Sequence, residues 1–143
     1  MPITTVREAA WHWLDGKINV EYRWGGNELK DGGFDCSGLT NGVRRKFGLV
    51  DRDMTAAEMA DDMPAVSIEN LREGDFLFWR SKATGKVVHV EAVWAIFNGK
   101  IYSVGASGGG PWVTTADDAL RNGAYVQVHE ATGWAFARNP YGD

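Results

Sequence analysis

Helices first and an antiparallel meander after them, an α+β domain, is the fold class this sequence predicts. Three observations carry it. Apolar residues recur at helical spacing in three segments before Ser67, and from Ser67 onward apolar and aromatic runs alternate with turn signals. The length of 143 residues is also enough for one hydrophobic core without metal or disulfide staples. One domain over residues 1–143 is expected, with no internal repeat.

The elements follow in order. In TTVREAAWHWLDG, Thr5 followed three residues on by Glu8 reads as a capping box, and Val6, Ala10, Trp13 and Leu14 recur at helical spacing until Gly16 ends the run. NVEYRWGGNELKDGGF holds four glycines and no sustained period, so a short extended piece and a loop are expected. Asp35 can cap a second helix running from Cys36 to Phe47, with Leu39, Val43 and Phe47 on one stripe and Gly48 as its stop. MTAAEMADDM reads as a short third helix whose Met54, Met59 and Met63 serve packing. Strands are expected in DFLFW, VVHVEAVWAIF, KIYSVGA and AYVQVHEATGWAFAR, with turns at Asn98-Gly99 and Arg121-Asn122-Gly123. GASGGG, at 105–110, reads as a flexible bend.

Composition narrows the function. With 15 Lys and Arg against 19 Asp and Glu, and a net charge of -4, nucleic acid is a poor partner. A single cysteine and three scattered histidines exclude an internal disulfide and match no zinc spacing. No apolar run reaches membrane-spanning length, and the first residues lack the marks of a secretory leader, which predicts a chain made in the cytoplasm.

Chemistry concentrates at Cys36. On the first turn of a helix it sits in the positive end of the helix dipole, among backbone N–H groups without helical partners, a position that favours thiolate and can hold an oxyanion. A buried, inert cysteine is the competing reading. The thiol needs a base, and His89 is the candidate: on a strand it shares a face with Glu91, Val93 and Ala95. His12 and His129 read as surface or packing residues.

The order YRWGG, DCSGLT, LREGDFLFW, HVEAVW and GASGG, from Tyr22 to Ser107, resembles the NlpC-type papain-like cysteine peptidases that cut bacterial peptidoglycan stem peptides. The resemblance implies N-terminal helices packed on a five- to six-stranded antiparallel sheet. It implies Cys36 as nucleophile, His89 as general base and acid, and Tyr22, Trp24 and Ser37 at the substrate, with no cofactor or metal. There are two departures. The family places a polar third residue on the strand after the histidine strand, where this chain has SVGAS, and it more often has glycine where this chain has Glu91. Glu91 could orient His89, or Ser103 or Ser107 could. A two-residue turn at Asn98-Gly99 would set Glu91 opposite Ala106 and His89 opposite Gly108.

The expected function is thus a cysteine endopeptidase or amidase acting on the bacterial cell wall. It would work as a monomer, after delivery by a phage or a secretion system, with a cognate immunity or inhibitor protein in the effector case. Two alternatives stay open: a papain-like acyltransferase or deamidase of a protein substrate, and a catalytically silent glycan- or peptide-binding module.

Overall fold

The computed structural model describes residues 5–50 and 52–143. Within them lie helices α1 (Val6–Asp15), α2 (Cys36–Lys46), α3 (Ala56–Asp62) and α4 (Ala116–Asn122). The strands are β1 (Asn27–Glu28), β2 (Gly33–Phe34), β3 (Ala65–Val66), β4 (Phe76–Arg80), β5 (Val87–Phe97), β6 (Lys100–Ser107), β7 (Tyr125–Glu130) and β8 (Phe136–Arg138). Six of them form one antiparallel sheet in the order β3-β8-β4-β5-β6-β7, while β1 and β2 make a small hairpin. The α+β class is as expected.

Local chemistry sets the helix ends. Thr5 accepts from the Glu8 N–H (3.1 Å), the first half of the expected box, and α1 runs to Gly16. Asp35 caps α2, and Gly48 follows that helix at φ +69°. A reciprocal capping box, Thr55 with Glu58, starts α3.

Two expectations change. AYVQVHEATGWAFAR is two strands, because a turn with Gly133 at φ +72° follows β7, and β8 crosses to lie between β3 and β4. The meander therefore covers only β4 to β7. Helix α4 takes in most of the expected Arg121-Asn122-Gly123 turn; it begins with a reciprocal Thr115–Asp118 box and ends at the left-handed Gly123. Ala119 alone of its residues is buried, so it carries almost no apolar period. Its TTADD start was the only signal.

The core explains why α2 is fixed. Leu39 and Val43 of α2 cluster with Val90 and Ala92 of β5, Val104 and Ala106 of β6, and Val126 of β7. Each fully buried valine or leucine side chain among these contributes about 1.5–3 kcal/mol. A smaller cluster, with Leu71, Leu77, Val93, Ala131 and Ala137, covers the alternate side of the sheet. Alternation along β5 thus sends Val90 and Ala92 one way and His89 and Glu91 the other. At the far end, buried Arg7 of α1 binds Asp75 (2.8 Å), Asn139 (3.1 Å) and Asp143 (2.7 Å), tying the first helix to the last residues.

Candidate active site

Cys36 is placed by its two neighbours in the chain and by the loop before them. Asp35 Oδ1 accepts from the Gly38 N–H (2.7 Å) and Oδ2 from the Gly25 N–H (3.0 Å), while the Asp35 N–H donates to the Gly26 carbonyl (2.9 Å). One residue therefore caps the helix and stitches the YRWGG loop to its start. Glycine is required on both sides: Gly25 has φ +73°, and a Cβ on Gly38 would lie 1.8 Å from the Gly26 carbonyl oxygen. Burial pushes the Asp35 carboxyl up despite its hydrogen bonds to Gly38, Gly25 and Ser37. Ser37 Oγ donates to Asp35 Oδ1 (3.3 Å).

Tyr22 is buried, its ring against Gly109. Burial, then the nearby charges of Cys36 and Asp35, raise its pKa, so it stays a protonated phenol beside the thiol. The Trp24 side chain is exposed, and its backbone N–H donates to the Val113 carbonyl (2.8 Å), joining this loop to the segment after β6.

His89 and Cys36 are brought together. Burial disfavours the imidazolium, but hydrogen bonds to Cys36 and Glu91 and the negative charge of each override it, lifting the pKa to about 10. His89 is thus an imidazolium at neutral pH. Trp79, opposite it on β4, packs over the ring at a centroid distance of 5.3 Å. Nothing in the sequence distinguished that tryptophan from core.

Glu91 is 1% exposed. Its Oε2 accepts from His89 Nε2 (2.6 Å), and its Oε1 accepts from Ser103 Oγ (2.6 Å) and His129 Nε2 (2.7 Å). Burial would raise this carboxyl, but hydrogen bonds from His129, His89 and Ser103, with the His89 charge, hold it down to about 2. A buried carboxylate with three donors is both charged and satisfied. With Nε2 committed to Glu91, Nδ1 is the His89 nitrogen left for Cys36. Ser103 touches Glu91, and Ser107 Oγ accepts from Gln127 Nε2 (3.0 Å).

The cross-strand pairing differs from expectation. Asn98 and Gly99 do form a two-residue turn, with φ +52° and +73°, and Phe97 pairs with Lys100. A bulge at Trp94 then adds a residue to β5, so Ala92 pairs with Val104, and Glu91 falls opposite Gly105 instead of Ala106. In the same register His89 falls opposite Ser107 instead of Gly108, and Ala95 leaves the His89 face. Alternation cannot reveal an inserted residue. Gly105 matters here, because a Cβ on it would sit 2.4 Å from Glu91 Cγ. Gly105→Ala is therefore expected to destabilise the fold by about 1–3 kcal/mol through overpacking. Urea unfolding measures this, and wild-type stability would show that Glu91 does not depend on that space.

His129 is a surface residue, as expected, but its ring also reaches the buried carboxylate that holds His89. The missing signal was long-range: its strand lies two strands from β5.

Beside Ser37 lies a cavity of about 230 Å³ bordered by Asp35, Asp53 and Glu58. Among the described residues no group of His, Cys, Asp and Glu could hold a metal ion, and no helix is long and apolar enough to cross a membrane.

A family model described as NlpC/P60 family matches residues 19–110. Murein DD-endopeptidase MepH of Escherichia coli is 35% identical over 85 residues, covering 58% of this chain and 31% of that protein. Probable endopeptidase YafL of Escherichia coli is 38% identical over 76 residues, covering 52% of this chain and 30% of that protein. The chain thus spans about a third of the length of these curated relatives. An NlpC/P60 family protein of Bacillus cereus superposes with a TM-score of 0.72 at 21% identity, over 98% of this chain and 41% of that one.

Proposed function

The chain belongs to the NlpC/P60 family, and from that premise we propose that it is a cysteine peptidase that hydrolyses amide bonds in peptidoglycan stem peptides. One observation carries the chemistry: a cysteine at a helix start lies close enough to an imidazole to raise its pKa, and Nε2 of that imidazole donates to a buried carboxylate. The names of the curated relatives, both endopeptidases and one a murein enzyme, support the substrate class.

The mechanism follows from the geometry. Cys36 Sγ, its proton held on His89 Nδ1, attacks the amide carbonyl carbon. The oxyanion lies in the field of the α2 N-terminus, with the protonated Tyr22 hydroxyl as a further donor. The His89 Nδ1–H passes its proton to the amide nitrogen as the C–N bond breaks, leaving a thioester and a free amine. Water then attacks the thioester, His89 takes its proton, and sulfur leaves as thiolate. Throughout, Glu91 holds Nε2–H and so fixes which nitrogen does the work.

Glu91 supplies from β5 the polar group that the family resemblance places on the next strand, and Gly105 leaves room for it. Ser37 and Trp24 border the path of the substrate. The site of action on this reading is the bacterial cell wall.

Purified sacculi incubated with the protein test the proposal, the released fragments being read by mass spectrometry. New amine and carboxyl termini within stem peptides are expected, suppressed by iodoacetamide and unaffected by chelator. Absence of new termini would overturn it. Transfer of the acyl group to another amine, with no free carboxylate formed, would replace hydrolysis by acyl transfer.

A further inference from the structure

We infer that His129 is a positioning residue for the Cys36–His89 couple, acting through Glu91. The inference rests on the reading of Cys36 as nucleophile. Two imidazoles share one buried carboxylate, an oxygen each: His89 Nε2 at 2.6 Å from Oε2, His129 Nε2 at 2.7 Å from Oε1.

The surroundings show why a second anchor is needed. Glu91 reaches His89 along its own strand, by a side chain with three rotatable bonds. Its stem fills the space that Gly105, facing it on β6, leaves open. The direction of the carboxylate oxygens is set by their hydrogen bonds. Ser103 supplies one to Oε1 (2.6 Å), through a hydroxyl that is itself free to rotate. His129, paired with Ser103 across β6 and β7, supplies the other through a planar ring. Without it Oε1 would keep the hydroxyl alone, and the alignment of Oε2 on His89 would loosen.

The half-exposed His129 ring, 44% accessible against 1% for Glu91, adds little to core packing. Its contribution is the N–H it sends inward. The ionisable groups around it fit that role. Glu91 faces it from β5, with His89 beyond; Ser103 opposite on β6 is neutral; the neighbouring Glu130 turns to Lys100 (3.8 Å). Imidazole donates through Nε2 whether charged or in the Nε2–H neutral tautomer, so the hold does not require a particular charge on His129.

His129→Ala and His129→Gln test this together. By analogy with groups that orient a metal-ligating imidazole, whose loss costs about 10–100-fold, a similar factor is expected here. In His129→Ala, kcat on a wall-derived peptide is expected to fall by that factor with KM unchanged, and in His129→Gln, which keeps an N–H donor, most of it returns. Nitrogen-edited NMR of the His89 ring gives a readout independent of substrate. The Nε2–H signal is expected to broaden or shift upfield in the alanine variant and to recover in the glutamine variant. An alanine variant with wild-type kcat and an unmoved His89 signal would overturn the inference while leaving the peptidase reading intact. A wild type that cuts no wall peptide, yet whose His89 signal responds to His129→Ala as stated, would overturn the peptidase reading and support the positioning role.

Discussion

Cys36→Ala is expected to lower amide cleavage on the order of a million-fold, the scale seen when the nucleophile of a covalent hydrolase is removed. No other cysteine exists in the chain to substitute for it. The remaining machinery, the helix terminus and the Tyr22 hydroxyl, binds and polarises a carbonyl but forms no bond to it. Folding should be nearly untouched, because Cys36 is only partly buried and alanine is a good helix former. Melting temperature and fragment release, measured on the same preparation, separate the two effects. A variant that melts like wild type and still cleaves would remove Cys36 from the chemistry.

Glu91→Gln should cost less but still heavily, about 10³–10⁴-fold in kcat, by the loss of tautomer control known from an orienting carboxylate changed to its amide. The carboxylate accepts three hydrogen bonds and donates none. An amide of the same shape presents two N–H donors to the same surroundings. If its nitrogen faces His89, the ring must accept there, which moves the neutral proton to Nδ1, the atom that should receive the proton of Cys36. If its oxygen faces His89, the amide nitrogen meets the donors of Ser103 and His129 instead. Either arrangement leaves a buried polar group mismatched. Steady-state kinetics with a fragment-release assay measures the loss, and a wild-type kcat would deny Glu91 its orienting role.

How much of this was legible depends on the range of each interaction. The start of α2 is written in neighbouring residues: Asp35 caps, Gly38 clears the Gly26 carbonyl, and Leu39 and Val43 form the buried stripe. Cys36 at the helix start and His89 in a strand could therefore be paired from local pattern and family resemblance. Glu91 was a candidate because it lies two residues from His89, on the same side. Its three donors were not legible. Ser103 and His129 meet it only through pairings across β5, β6 and β7, and the bulge at Trp94 shifted the register that would have located Gly105. The crossing of β8 was hidden for a similar reason, since its short run contains no information about which strand it joins.

The chemistry turns on a His89 that keeps its proton until the leaving amine takes it, and the pH dependence of kcat/KM on a wall-derived peptide reads that directly. Because Glu91 stays ionised down to about 2, its carboxylate is in place across the useful range. With the His89 pKa raised, the acid form persists below about 10 and is lost as pH rises through that value. The predicted result is activity that holds through neutrality and declines on the alkaline side only toward about 10. An alkaline decline centred near about 6.5, the value of an unperturbed imidazole, would contradict it.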